Sequence, residues 1–362
     1  MHVRGSVFCR ALVLTAVVAL TCVSAFAQDP DTLPPRTGPA PVTEVAPPAA
    51  LAQPATGEQP AGQPSAQQPS SPPAAGQDAS GEDAGRFVFK KEVEEVVLHA
   101  TVVDETGRLV THLDRSAFSI FQNGKPEPIT SFRREDVPVA MGIVIDNSGS
   151  MRDKRAKVNQ AVLNLIRASN PQDEIFVVNF GQNPYLDQDF TSDVNLLQAA
   201  LHQVSSRGST ALYDAVVASA VHLRNNPRLE KRVLLVITDG QDNMSRETLQ
   251  EALRKLQPSK GLIVYAVGLT DDGLSRSGHD ALQNLATTTG GVAFFPQSLD
   301  EVNEITRSVA QDIRSQYTLA FKPADGKAKL DYAGLRVEAR APGLGPLMVR
   351  TRTGYYPGES AH

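Results

Sequence analysis

Residues 140–168 read "AMGIVIDNSGSMRDKRAKVNQAVLNLIRA", and this stretch decides the fold. Its first seven residues form an unbroken apolar run that ends on Asp146. Such a run, short and without polar alternation, is what a strand buried on both faces of a parallel sheet requires. From 152 to 168 the apolar residues instead recur at helical spacing. A strand, a polar turn and a helix are therefore expected in that order. The turn sets one carboxylate and two hydroxyls at alternate positions: Asp146, Ser148 and Ser150.

Working outward, the same grammar repeats. "EIFVVNF" (174–180), "RVLLVITD" (232–239) and "GLIVYAVGL" (261–269) are further buried-strand runs, and "VAFF" (292–295) follows Gly290-Gly291. Helical patterns fall at 193–204, 211–225, 245–256, 278–289 and 298–315. Strands alternating with helices predict an α/β domain over 138–316, with a doubly wound, mostly parallel sheet and helices on both faces. The flanks differ. Residues 86–137 read as short strands, with turns at Asp104-Glu105-Thr106-Gly107 and Asn123-Gly124. Residues 317–357 return to strands in "YTLAFKP", "GLRVEARAP" and "LMVRTRTGYY". Neither flank alone has many strands, but together they supply about the seven of a small sandwich. One β-sandwich-like module built from both ends is the expectation; two independent β modules are the alternative.

Residues 1–85 carry no fold signal. Residues 1–27 combine a basic start (His2, Arg4, Arg10), an apolar run from Ala11 to Cys22 and Ala25-Phe26-Ala27, the pattern of a cleaved signal peptide. Residues 28–85 are a Pro-, Ala- and Gln-rich spacer without aromatic residues, too apolar-poor to offset the entropy of ordering. Residues 358–362 are a tail. Both cysteines, Cys9 and Cys22, lie in the leader, so disulfides play no part in the mature chain. The formal net charge of -5 gives no broad basic face and argues against nucleic acid as a partner. No run after the leader is long and apolar enough to span a bilayer. The expected product is exported, periplasmic or extracellular.

Ligands of open α/β sheets gather at the carboxyl ends of the strands. Three polar clusters fall there or in the loops beside them: Asp146, Ser148 and Ser150; Thr210 within "SRGSTALYDA"; and Asp239 within "VITDGQD". Each has a plain structural role open to it. Asp146, Ser148, Ser150 and Thr210 could cap helices, and Asp239-Gly240 could be a tight turn. Taken together, two carboxylates and three hydroxyls form an all-oxygen set. Such a set selects a hard cation, Mg²⁺ first and Mn²⁺ or Ca²⁺ after it. Asp214 and Asp242 lie nearby as outer supports or as helix-start and turn acids. The basic stretch "MRDKRAKVNQ" (151–160) reads as a solvated helix face or as steering for an acidic partner. "DDG" (271–273) reads as a turn.

"DNSGSM", "GSTALYDA" and "ITDGQDN" resemble the three parts of the metal-ion-dependent adhesion site of von Willebrand factor type A domains. The flanks "VVDETGRLVTHL", "FSIFQNGKPEPITSF" and "VRTRTGYYPG" further resemble exported bacterial proteins built around such a domain. The resemblance implies that Ser148, Ser150 and Thr210 bind the metal directly. Asp146 and Asp239 would act mainly through water, with Asp146 also ordering its loop. It also implies a protein partner whose Glu or Asp completes the metal shell, and a last helix, 298–315, that shifts with affinity.

An enzyme is the main rival. "DNSGS" lacks the G-x-S-x-G elbow, and no H-E-x-x-H, P-loop or G-x-G-x-x-G pattern occurs. A Ser–His–Asp set would need His202, His222 or His279 beside Ser148. Mg²⁺-dependent hydrolysis lacks a general base in so hydroxyl-rich a set. A metal-independent envelope scaffold is the other alternative. The expectation is a non-enzymatic binding protein.

Overall fold

The structure is a computed structural model that describes residues 32–35 and 95–357, except 135, 203–205, 207, 227, 258–260, 270–273 and 324–331. The leader, most of the spacer, the tail and the 271–273 turn lie outside the described residues. The chain divides into two units: one of 137–310 with the N-terminal residues up to Pro34, the other of 35–136 with 311–360.

In chain order, the second unit supplies β1 (Val96–Val103), β2 (Phe118–Gln122), β3 (Lys125–Glu127) and β4 (Ile129–Arg133). The first unit then runs β5 (Val139–Asp146), α1 (Arg155–Ala168), β6 (Glu174–Phe180), β7 (Pro184–Thr191), α2 (Val194–His202), α3 (Leu212–Arg224), β8 (Lys231–Thr238), α4 (Leu249–Leu256), β9 (Leu262–Gly268), α5 (Arg276–Thr289) and β10 (Ala293–Phe294). Helix α6 (Val302–Arg314) carries the boundary between the units, and β11 (Tyr317–Phe321), β12 (Ala333–Ala339), β13 (Met348–Arg350) and β14 (Gly354–Tyr355) complete the second.

The sheet of the first unit has six strands in the order β10-β9-β8-β5-β6-β7, parallel throughout except that β7 is antiparallel to β6. Strands β5, β8 and β9 are almost wholly buried, which is why they read as continuous apolar runs. Alternate residues make the two faces. Ala140, Val144, Phe176, Val178, Leu234, Val236, Val264 and Ala266 share one core with Leu212, Val216 and Leu223 of α3, Ala252 and Leu256 of α4 and Leu282 and Leu285 of α5. The intervening Met141, Ile143, Ile145, Val177, Leu235 and Tyr265 are as deeply buried. Helix α1 is joined to two other helices: Asn159 Nδ2 donates to Leu201 O of α2 at 2.7 Å, and Asn164 Nδ2 to Asn303 Oδ1 of α6 at 2.8 Å. The sheet is thus doubly wound with helices on both faces. The chain passes from β5 outward to β6 and β7, then returns to β8 on the other side of β5. The switch in strand order therefore lies between β5 and β8, where a doubly wound sheet opens a crevice.

Strand β7 has no counterpart in the sequence reading. Its "PYLDQDFT" is an edge strand, only half buried, so it carries neither an apolar run nor a strict alternation. Leu186 N of β7 donates to Pro34 O at 3.0 Å, and Leu33 packs on the core, so a few residues of the spacer extend this edge.

The second unit interleaves both ends of the chain. One sheet runs β13-β1-β11-β4 and the other β14-β12-β2-β3. Leu98, Ala100 and Val102 of β1, Phe118 and Ile120 of β2, Tyr317, Leu319 and Phe321 of β11 and Val337 of β12 form a single core. The "LMVRTRTGYY" run is split between the sheets as β13 and β14. The Asn123-Gly124 turn joins β2 to β3 with both residues at positive φ, 49° and 80°, as a tight hairpin needs. Asp104 builds the earlier turn by accepting Thr106 N at 2.9 Å and Arg108 N at 3.0 Å.

Tyr317 is the polar pin of this core. Its fully buried hydroxyl accepts from Leu113 N at 2.9 Å and donates to Val110 O at 2.8 Å, and its ring lies 4.9 Å from that of Phe118. Tyr317→Phe strands two backbone groups without removing the ring. It is expected to cost about 1–3 kcal/mol, measured as a lower denaturant midpoint of the β unit by chemical unfolding.

Candidate metal centre

The first cluster sits where β5 ends. Strand register sets Ile145 beside Ile237, so the next residues, Asp146 and Thr238, are neighbours across β5 and β8. Thr238 Oγ1 donates to Asp146 Oδ2 at 2.6 Å, and Ser148 N donates to Asp146 Oδ1 at 2.7 Å. Asp146 is wholly buried. Burial pushes its carboxyl above the ordinary range; the hydrogen bonds from Thr238 and Ser148 pull the other way, and the charge of Asp239 adds to the rise.

After Asp146 the chain does not enter α1 directly. It makes one 3-10 turn, Gly149–Met151, whose N-cap Ser148 uses no side-chain cap bond. Both serine hydroxyls are therefore left to the site. Ser148 Oγ and Ser150 Oγ lie 3.1 Å apart, and Ser150 Oγ donates to Asp239 Oδ1 at 2.8 Å. Asp239 follows β8 and is 2% exposed. The second cluster arrives from the loop before α3. Ala211, not Thr210, is the N-cap of α3, so the Thr210 hydroxyl is not spent on capping. Thr210 is held by its backbone: N donates to Asn243 Oδ1 at 2.9 Å and O accepts from Asn243 N at 3.0 Å. A Cβ added at Gly240 would lie 3.3 Å from Thr210 Oγ1 and 4.0 Å from Asp146 Oδ2, so both oxygens lie close to this glycine.

All five residues singled out by sequence thus meet around the carboxyl ends of β5 and β8. Ser148, Ser150, Thr210 and Asp239 line one cleft of about 650 Å³ with Gly149, Lys154, Gly208, Ser209 and residues 240–243. Among the described residues no group of three or more His, Cys, Asp or Glu could hold a metal; this centre has two carboxylates, and hydroxyls complete it. No histidine lines the cleft. His202 bonds Gln198 O, His222 pairs with Asp189, and His279 stacks on Phe295.

The donor set fits a hard cation. Every group is oxygen, and Asp146 is a buried carboxylate held by neutral donors beside a second carboxylate.

The neighbouring charges differ from the sequence expectation. The basic stretch 151–160 is not uniformly a solvated face. Lys154 turns inward, its Nζ donating to Asp239 Oδ2 at 2.8 Å, with side-chain exposures of 15% and 1%. Arg155 is buried: Nη2 donates to Asn179 Oδ1 at 2.8 Å and Nη1 to Asp146 O at 3.3 Å. Periodicity cannot flag either residue, because Lys154 is the N-cap of α1 and Arg155 its first residue. Asp214 and Asp242 fasten the loop. Asp214 accepts Arg246 N and Glu247 N, while Asp242 accepts Tyr213 N and the Ser245 hydroxyl.

Residues 141–241 match the family model of the von Willebrand factor type A domain. No curated protein matches the sequence. Among solved structures, proximal thread matrix protein 1 from the mussel byssus is 19% identical and covers 53% of this chain and 51% of its own, with a TM-score of 0.45. The chain thus spans about half the length of that protein. The same mussel protein described with a zinc-occupied MIDAS motif is 18% identical, covering 53% of this chain and 49% of its own, at a TM-score of 0.44. The conserved hypothetical protein BatB from Bacteroides thetaiotaomicron is 20% identical and covers 48% of this chain and 97% of its own, at a TM-score of 0.40.

Proposed function

We propose that this chain, which carries a von Willebrand factor type A domain, is an exported binding protein that captures an acidic side chain of a protein partner through a divalent cation. One observation carries the reading: Ser148 N donates to the Asp146 carboxylate, Ser148 Oγ lies 3.1 Å from Ser150 Oγ, and Ser150 Oγ donates to Asp239 at 2.8 Å, with Thr210 beside them at the switch point of the sheet. Ser148, Ser150 and Thr210 would hold Mg²⁺, with Mn²⁺ or Ca²⁺ as alternatives, and Asp146 and Asp239 would balance its charge. When bound, the ion supplies a coordination position for a partner Glu or Asp. Neutral hydroxyls among the ligands would leave the ion enough charge to attract that carboxylate. Asp146 already orders the loop through Ser148 N, and Thr238 fixes the other carboxylate oxygen.

Binding without catalysis is part of the proposal. Ser148 meets Ser150 and Asp146 but no histidine base. The leader-like residues 1–27 support export, and among the described residues no helix is long and apolar enough to cross a membrane.

Thermal unfolding against Mg²⁺ and Mn²⁺ tests the ion. A ligand of the native state alone stabilises by about 2.7 kcal/mol at a hundredfold excess over its Kd, so a rising midpoint that EDTA reverses is the expected result. Partner capture from envelope extract should likewise be lost in EDTA. A flat midpoint at millimolar ion would sink the reading. A metal-independent scaffold is the second reading, and one observation favours it: Ser150 and Lys154 satisfy both oxygens of Asp239 from within the chain.

A further inference from the structure

The geometry points to Lys154 as a built-in cation that occupies Asp239 when no metal is bound and sets how tightly the centre takes one; this rests on the metal reading above. Four observations support it. The ammonium of Lys154 lies 2.8 Å from Asp239 Oδ2, while the other oxygen of the same carboxylate is taken by Ser150 at 2.8 Å. The pair is shielded, since Asp239 is 1% and Lys154 15% exposed at their side chains. Lys154 also lines the cleft together with Ser148, Ser150 and Thr210, so its charge faces the place where an ion would sit. Finally, Lys154 is the N-cap position of α1 and makes no side-chain cap bond, so helix geometry does not demand this residue.

Two buried carboxylates without a counter-charge would strain the ion-free fold. The ammonium offsets half of that charge from within the chain. The same charge is a cost when a divalent ion arrives, because like charges at contact distance repel strongly where water is scarce. The ammonium must then leave Oδ2 and move into the open cleft. There it would stand beside the ion as a second positive group, suited to a partner segment with two neighbouring acids. Lys154 would thereby hold the centre closed at low ion concentration without blocking it.

The experiment uses the full chain and Mn²⁺ alone, by calorimetric titration and by melting in EDTA, on wild type, Lys154→Met and Lys154→Arg. Met keeps the apolar stem and removes the charge. Lys154→Met is expected to bind Mn²⁺ about tenfold more tightly, equivalent to about 1.4 kcal/mol, and to melt lower than wild type in EDTA. Lys154→Arg should follow wild type in both. A plain structural ion pair would lower the EDTA melting point but leave the Mn²⁺ affinity unchanged, and that result overturns the proposal. Wild type that binds no Mn²⁺ at all would instead remove the metal reading, and this inference with it.

Discussion

Asp146→Ala is expected to abolish the ion-dependent rise in melting temperature and all EDTA-sensitive partner capture. The reason is geometric before it is electrostatic. Asp146 takes Ser148 N on one oxygen and Thr238 on the other, and so ties the turn that aims Ser148 and Ser150 to the end of β8. Removing the carboxylate frees that turn and strips a negative charge from the centre. Loss of one supporting group around a metal costs roughly 10–100-fold in affinity, and this residue both orders and charges the site, so the upper end is expected. The ion-free fold should suffer less. Two buried donors lose their acceptor, at about 1–3 kcal/mol each, but a buried charge disappears with them.

Asp146→Asn separates the two roles. The amide oxygen can still accept from Ser148 N, so the turn holds while the charge is gone. The sign of its effect on stability follows from burial. The folded chain raises the Asp146 carboxyl above its ordinary value. That contribution to folding is therefore present below the unfolded value and is lost as pH rises through the folded one. At neutral pH the ionised group is a cost to the ion-free protein. Asp146→Asn in EDTA should then melt at or above wild type at pH 7, with the gap closing as the carboxyl protonates in acid, and should show no response to Mg²⁺. An Asn variant that still captured its partner reversibly with EDTA would remove Asp146 from the ion site.

How much of this was legible in the sequence depends on burial. Strand β6 is the run "EIFVVNF", and β5, β8 and β9 lie within a residue or so of their apolar runs. All four pack on both faces, an environment that favours continuous apolar runs. β7 was missed because an edge strand facing water needs no such run. Helix starts shifted where side chains intervene. α4 begins at Leu249 and not at 245, because Asp214 holds Arg246 N and Glu247 N and Thr248 forms a capping box with Glu251. At the centre, the oxygen donors were legible from their residue types and their places after strands. Lys154 was not. Its role depends on which way one long side chain turns at a helix start, and no periodic pattern encodes that.

Gly291→Ala is expected to be the most damaging single methyl in the α/β unit. A Cβ at Gly291 would lie 2.0 Å from Val264 O and 2.8 Å from Val264 C. The obstacle is the backbone of β9, which cannot step aside: β9 pairs with β8 over seven residues, and Ala266 N donates to Val292 O at 3.0 Å. Gly291 N in turn donates to Ala286 O at 3.0 Å, closing α5 onto the same strand. Relief requires β10 to lift from the sheet edge. Overpacking against movable side chains costs about 1–3 kcal/mol, so a rigid backbone should bring about 3 kcal/mol or more. That corresponds to roughly 6–12 °C in melting temperature for a unit of this size. The neighbouring Gly290→Ala is the control. Gly290 is the left-handed C-cap of α5 at φ 90°, so its substitution brings a conformational penalty of about 1–2 kcal/mol. If the two variants melted together, the close approach of Gly291 to β9 would not be the constraint on this turn, and the Gly-Gly pair would be no more than a helix stop.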